Sequence, residues 1–170
     1  NVKGLTTHND GKTLSKIFLR ALRSIVGGRY EIYQDVLDTR DHGVPQCRKR
    51  WYCVGLRKDA LRTDEASKFH FPENGCCKMD KFLDKIENHE SSVSHYARTN
   101  INRAMEQIRL RGFDPVRDTF VIDCDASVDR VAWIQDLSPC LTRSRAAGHR
   151  ISNRNRRFSI FEMFRLHEMN

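Results

Sequence analysis

Several familiar arrangements are missing from this 170-residue chain, and each absence removes a class of protein. No apolar run approaches the ~18 residues that a membrane span needs. No basic-then-apolar leader opens the sequence. The six cysteines, Cys47, Cys53, Cys76, Cys77, Cys124 and Cys140, form no paired Cys-x-x-Cys units, which argues against a zinc ribbon and against a secreted disulfide framework. The seven histidines show no His-x₃-His spacing, so no metal site is expected. There is no internal repeat and no low-complexity tract. What these absences leave is a soluble intracellular protein with reduced thiols.

What is present points to one core and an anionic partner. With 39% hydrophobic residues the chain is long enough for a single domain, or a domain plus an appendage, and short for two. The excess of Lys and Arg, formally +8 with a pI near 9.4, favours nucleic acid. Asn1, Val2, Lys3, Gly4 and Leu5 read as the end of a strand passing into a loop, so an upstream portion is expected. Leu14, Ile17, Phe18, Ala21, Leu22 and Ile25 have the spacing of an amphipathic helix, opened by Asp10 or Thr13 and stopped by Gly27 and Gly28. Residues 30–38 and 50–56 read as two strands joined by a loop over 39–46, most simply a hairpin at the edge of an α/β sheet. Residues 58–136 are polar and poorly periodic, with short helices predicted over 79–86 and 96–110 and a strand over 120–122, and suggest a separate small lobe. The chain closes on an amphipathic helix bearing Phe161, Phe164 and Leu166.

Two basic features carry chemistry. In "DHGVPQCRKRWYCVGLRKD", residues 41–59, an extended backbone puts Gln46, Arg48 and Arg50 on one face and Cys47 and Lys49 on the other. Adjacent guanidinium groups repel unless carboxylates, phosphates or carbonyl oxygens match their fork geometry. The plain alternative is a solvated strand end. Further on, Arg143, Arg145, Arg150, Arg154, Arg156 and Arg157 stand in a segment with almost no acid to balance them, as a track for DNA phosphates would; the alternative is a solvated connector. Glu162 and Arg165 have the i, i+3 spacing of an ordinary helix-surface pair.

Taken together, these stretches resemble the DNA cytosine-5 methyltransferases. "YQDVLDTRDHGVPQCRKRWYCVGLRKD" is similar to that family's motif VIII, a Gly-[Val/Ile]-Pro-Gln-x-Arg-x-Arg pattern followed by an apolar strand. "NVKGL" resembles the residues after motif VI, and "LSPCLTRSRAAGHRI…RRFSIFEMFRLHEM" resembles motif IX. The resemblance implies residues 1–58 as the C-terminal edge of a Rossmann-like α/β catalytic sheet, 59–137 as an inserted target recognition domain, and 138–170 as a basic loop and motif IX helix. It implies S-adenosylmethionine as methyl donor, double-stranded DNA as partner, and a nuclear or cytoplasmic location for a eukaryotic or bacterial source. In such enzymes a cytosine is flipped into the pocket, a cysteine thiolate adds to C6, and the methyl group passes to C5. Arg50 would contact the cytosine O2 carbonyl, Arg48 would arrange the pocket, Gln46 would support it, and Glu162 with Arg165 would brace the recognition domain.

The sequence departs from the family pattern where it matters most. It contains no Pro-Cys-Gln nucleophile loop and no Gly-x-Gly donor turn, and the motif VI Glu would stand just before Asn1. Cys140 follows a proline, but no glycine-rich loop precedes it, and it is read as structural or incidental. Phe161 replaces an Arg, and His167 with Glu168 replaces Gln-Gly. The nucleophile and most donor-binding residues are therefore expected upstream or on a complementary subunit, with the isolated chain inactive. The alternatives are a non-catalytic nucleic-acid-binding module derived from that family and the related branch that methylates transfer RNA.

Overall fold

The first regular element is a 14-residue helix, α1 (Gly11–Ser24), which passes into a 3₁₀ turn over Ile25–Gly28. Gly27 and Gly28 end it in the left-handed region, at φ 66° and 77°, where a side chain is disfavoured. This is the computed structural model of the chain, describing residues 11–60, 69–73, 75–85, 93–127 and 130–168. The expectations placed on residues 1–5 and on Asp10 fall outside them. Two compact units emerge, one of Asn1–Asp38 with Lys49–Asn74 and one of Thr39–Arg48 with Gly75–Asn170.

In the first unit, β1 (Tyr30–Asp38) and β3 (Lys49–Arg57) pair antiparallel, from Tyr30 opposite Arg57 to Asp38 opposite Lys49. The expected hairpin is there, with strands of nine residues each. The helix packs differently from its predicted stripe. Leu19, absent from that stripe, is buried, while Leu14, Ile17, Phe18 and Ile25 are exposed. A two-stranded ribbon is too narrow to cover the whole apolar face of a helix. Phe18 meets Trp51 edge to face at 6.0 Å. Phe69 returns to stack on Tyr33 at 4.9 Å.

In the second unit β2 (Gln46–Cys47) runs parallel to β6 (Ser138–Pro139), and four strands form a sheet in the order β5 (Ala132–Gln135), β4 (Phe120–Asp123), β7 (Arg150–Ile151), β8 (Arg156–Arg157). Strands from the middle of the sequence thus pair with strands from its closing segment, Val121 opposite Ile151. The alternation of β4 divides the core in two. Phe120 and Ile122 face α2 (His95–Leu110) with Ala97, Ala104, Ile108 and Cys124. Val121 joins Val44, Met79, Leu83, Leu141, Ile151, Phe158 and Leu166 on the other side. The helix expected over 79–86 is a single 3₁₀ turn, Met79–Phe82. The last helix, α3 (Ile160–Arg165), buries Glu162 and is followed by buried Leu166, while Phe161 and Phe164 are exposed. Gly148, at φ 74°, lies so close to Phe158 that a Cβ there would meet the Phe158 Cβ at 3.0 Å.

Candidate functional site

The turn before Gln46 is fixed by backbone hydrogen bonds within the second unit. Val44 N donates to Thr39 O at 3.1 Å, Ser138 N donates to Pro45 O at 2.8 Å, and Gln46 N donates to Val44 O at 2.7 Å. The Thr39 hydroxyl donates to Gln46 O at 2.6 Å. Val44 and Pro45 are buried, and the Gln46 side chain is wholly so, its amide oxygen and nitrogen making no hydrogen bond among the described residues. A buried amide left unpaired costs about 1–3 kcal/mol, so a position chosen for stability alone would favour an apolar side chain here.

Arg48 is half-buried and lies between β2 and β3, outside both strands. Its guanidinium hydrogen-bonds His167 Nδ1. Arg50 belongs to the first unit, in β3 opposite Leu37, where it donates to Lys49 O at 2.9 Å. Gln46 and Arg50 therefore stand on different strands, and the break at Arg48 interrupts the simple two-residue alternation predicted for a single one.

In the segment 143–157 the structure places an acid beside four of the six arginines, three of those acids from distant parts of the sequence. Arg145 Nε donates to Asp123 at 2.6 Å. Arg157 grips both Asp125 oxygens at 2.7 Å. Arg154 lies 3.8 Å from Asp80. Arg150 is buried and donates to Asn155 Oδ1. Arg156 is buried against Glu162, its two terminal nitrogens 2.7 and 2.6 Å from the carboxylate oxygens. Arg143 is exposed and makes no ion pair among the described residues.

Glu162 and Arg165 do not pair with each other. The Glu162 carboxylate accepts from Arg156, from Ser159 N at 2.7 Å and from Asp84 N at 2.7 Å, and with the Ser159 hydroxyl it completes a capping box. Burial would raise this carboxyl, but Arg156 and the two backbone donors outweigh it and hold it below the usual range. Arg165 reaches Phe82 O at 3.1 Å and Asp84 at 2.5 Å. Both residues clasp the segment just after Met79–Phe82 to the closing helix. Sequence reading missed Asp84 and His167, since only a fold brings residues so far apart in the chain together.

Asp123 behaves similarly. Burial acts to raise its carboxyl, yet the buried His149 ring at 3.6 Å and the Arg145 guanidinium overcome that and hold it at about 2. A carboxyl depressed in the folded state contributes stability above its unfolded pKa, near 3.9, and loses it as pH falls toward the folded value. After allowance for solvent screening we expect about 1–2 kcal/mol to disappear between pH 4 and 2. Urea midpoints of the chain and of Asp123→Asn should converge over that interval; parallel curves would refute the assignment.

Burial pushes the Cys53 and Cys124 thiols up, away from the thiolate that nucleophilic addition needs. Among the described residues no group of three His, Cys, Asp or Glu could hold a metal ion, and no helix is long and apolar enough to cross a membrane.

Comparison with known proteins completes the description of the site. The family described as C-5 cytosine-specific DNA methylase matches residues 1–167. The chain is 31% identical over 110 residues to the type II methyltransferase M.SsoII of Shigella sonnei, covering 61% of this chain and 28% of that protein. It is 30% identical over 112 residues to M.NlaX of Neisseria lactamica, covering 66% and 33%. It is 41% identical over 73 residues to M.NgoBI of Neisseria gonorrhoeae, covering 43% and 20%. The chain thus spans a third or less of the length of these relatives. No solved structure matches it.

Proposed function

Because this chain belongs to the family of C-5 cytosine-specific DNA methylases, we propose that it is the part of a DNA (cytosine-5) methyltransferase that holds the target base and the surrounding DNA. In this reading Arg50 donates to the O2 carbonyl of a flipped cytosine, and Arg48 and the buried Gln46 are the other two residues of the family's base-binding motif. The observation that carries the reading is the run Gly43, Val44, Pro45, Gln46, Arg48, Arg50 in a family-matched chain. A pyrimidine carbonyl with phosphates nearby supplies the acceptors that clustered guanidinium groups require. Arg143 is the cation of the 143–157 segment best suited to a phosphate, since the acids of the second unit engage Arg145, Arg154, Arg156 and Arg157. The recognition lobe is the helix and four-stranded sheet of the second unit, clasped by Glu162 and Arg165.

The family implies S-adenosylmethionine as the methyl donor. The groove beside α1 does not fit it. The groove of about 520 Å³ between α1 and the hairpin is lined by Phe18, Leu22, Ile25, Tyr30, Ile32, Trp51, Cys53 and Gly55. It offers no carboxylate for the ribose hydroxyls of a nucleoside. Donor binding and the attacking thiolate are accordingly assigned to a polypeptide carrying the remaining family motifs.

The test is transfer of labelled methyl from S-adenosylmethionine to duplex DNA. The purified chain alone should be silent, and its mixture with a polypeptide bearing the Pro-Cys-Gln and glycine-rich motifs should be active. Robust transfer by the chain alone would overturn the division of labour, and Cys140 would be the first residue to replace. Silence in both arms with duplex binding retained would favour a non-catalytic nucleic-acid-binding module, and activity on transfer RNA only would favour the transfer-RNA branch.

A further inference from the structure

Cys76 and Cys77 are the only adjacent cysteines in the sequence, and the second unit holds them between two fixed points. On one side Gly75 forms a one-residue parallel bridge with His42, in the turn that leads to Gln46. On the other, Met79 is wholly buried in the core. Cys76 is exposed and Cys77 half-buried, and both are free thiols. Neither belongs to a core cluster, so packing gives no reason for sulfur at either place. Gly75 turns the chain just before them at φ 73°, and where its side chain would stand nothing lies within 4 Å, which leaves the pair open to approach. Cys76 Sγ lies 3.7 Å from Cys77 O, turned along the chain toward its neighbour.

Geometry selects what such a pair can take. Zinc needs three or four protein ligands, and no group of three His, Cys, Asp or Glu exists among the described residues. A disulfide between neighbours is strained, because adjacent Cα atoms stand about 3.8 Å apart and disulfides ordinarily span about 4.4–6.8 Å. A single atom inserted between the sulfurs lifts that limit. Trivalent arsenic is thiophilic and binds two thiolates at once, and after the first bond the second sulfur is already held at high effective concentration. The rival pair is Cys47 and Cys140, since Cys47 stands opposite Pro139 in the β2–β6 pairing. Both of these are half-buried, and neither is as open as Cys76.

We propose that Cys76 and Cys77 form a vicinal dithiol site for trivalent arsenic compounds, and that its occupation loosens the bridge from Gly75 to His42. In the capture each S–H bond breaks as an As–S bond forms, and the oxygen of an arsenic(III) oxide leaves as water with the two thiol protons. Arsenic stays trivalent, so no oxidant or reductant is required. The ring so closed constrains the peptide between the two cysteines, and of their two anchors the one-residue bridge is weaker than the buried Met79. His42 N and Val44 N both donate to Thr39 O, at 3.0 and 3.1 Å, so a change at His42 acts on the turn that ends at Gln46. The consequence for base binding rests on the proposed role of Gln46, whereas the site and its bridge are tested without DNA.

The probe is phenylarsine oxide, added to the reduced 170-residue chain in excess glutathione and followed by intact mass. One phenylarsenic group per chain should survive the monothiol and be removed by a small dithiol such as dimercaptopropanol. Cys76→Ser and Cys77→Ser should each abolish that retention, while Cys47→Ser with Cys140→Ser should keep it. Circular dichroism of the two single variants should be unchanged, because neither thiol is part of a core cluster. Stripping of the adduct by glutathione overturns the site, as does an adduct that survives Cys77→Ser or is lost with Cys47→Ser and Cys140→Ser. Hydrogen exchange then reads the bridge: the amides of His42 and Val44 should exchange faster in the adduct than in the free chain, and faster exchange should be absent from treated Cys77→Ser. Unchanged exchange over residues 39–46 in a chain that carries the adduct overturns the coupling to the turn. Each of these outcomes leaves the base-pocket reading of Arg50 standing, because that reading is scored by methyl transfer.

Discussion

Glu162→Gln should destabilise the second unit by about 3–5 kcal/mol, the largest effect expected of any single substitution here. Glu162 is fully buried and Arg156 nearly so. An amide cannot balance the guanidinium, and with its single acceptor oxygen it cannot serve Arg156, Ser159 N and Asp84 N together. A buried cation without its partner is costly in a way that a missing surface pair is not. Trp133 provides a local reporter, since the only other tryptophan, Trp51, can be replaced by Phe to leave the second unit's signal alone. Urea unfolding followed by Trp133 fluorescence at pH 7 should show the midpoint falling steeply. Replacing Arg156 and Glu162 together by Leu should recover most of the loss, short of about 1 kcal/mol for the capping box. A fall below 1 kcal/mol in the single variant would mean that water reaches the pair.

Arg50→Ala should depress methyl transfer in the reconstituted mixture by about 10- to 150-fold, with duplex affinity nearly unchanged. The figure follows from a charged hydrogen bond to the flipped base, about 1.5–3 kcal/mol when left unmade. On the proposed reading Arg50 acts on an extruded cytosine, so the loss belongs in the rate and not in the encounter. Arg50→Lys should rescue in part, since the charge returns without the planar fork. Equal losses in binding and turnover would show that Arg50 merely holds DNA.

The local elements were legible in the sequence wherever a period could be read. The strand pair around the Gly43 turn follows from alternation, and a helix was expected over 96–110, where the structure has His95–Leu110. Long-range relations were not. The arginines of residues 143–157 looked unbalanced because Asp123, Asp125 and Asp80 lie 20 residues or more away in sequence. The Glu162 and Arg165 spacing suggested a surface pair because nothing local marks Asp84 as their shared target. The α1 stripe marked an apolar face correctly and misplaced its buried residue, since burial depends on the width of what the helix lies against. In the proposed base-binding motif, the residue pattern named Gln46, Arg48 and Arg50 but could not reveal the backbone break at Arg48 or the His167 contact.

The clasp between Asp84 and α3 sets an order on synthesis. β4 cannot complete its sheet until β7 and β8 have been made, and the Asp84 amide waits 78 residues for its Glu162 acceptor. Closing such loops costs entropy before any contact rewards it. On a ribosome adding ~5–20 residues per second, several seconds pass with Phe120, Val121 and Ile122 synthesised but their partners unmade. During that interval β4 presents an apolar strand with an open edge toward β7, the kind of surface on which chains associate wrongly. Handling by a chaperone would matter most in this window, and the six residues of α3 are the stitch that ends it.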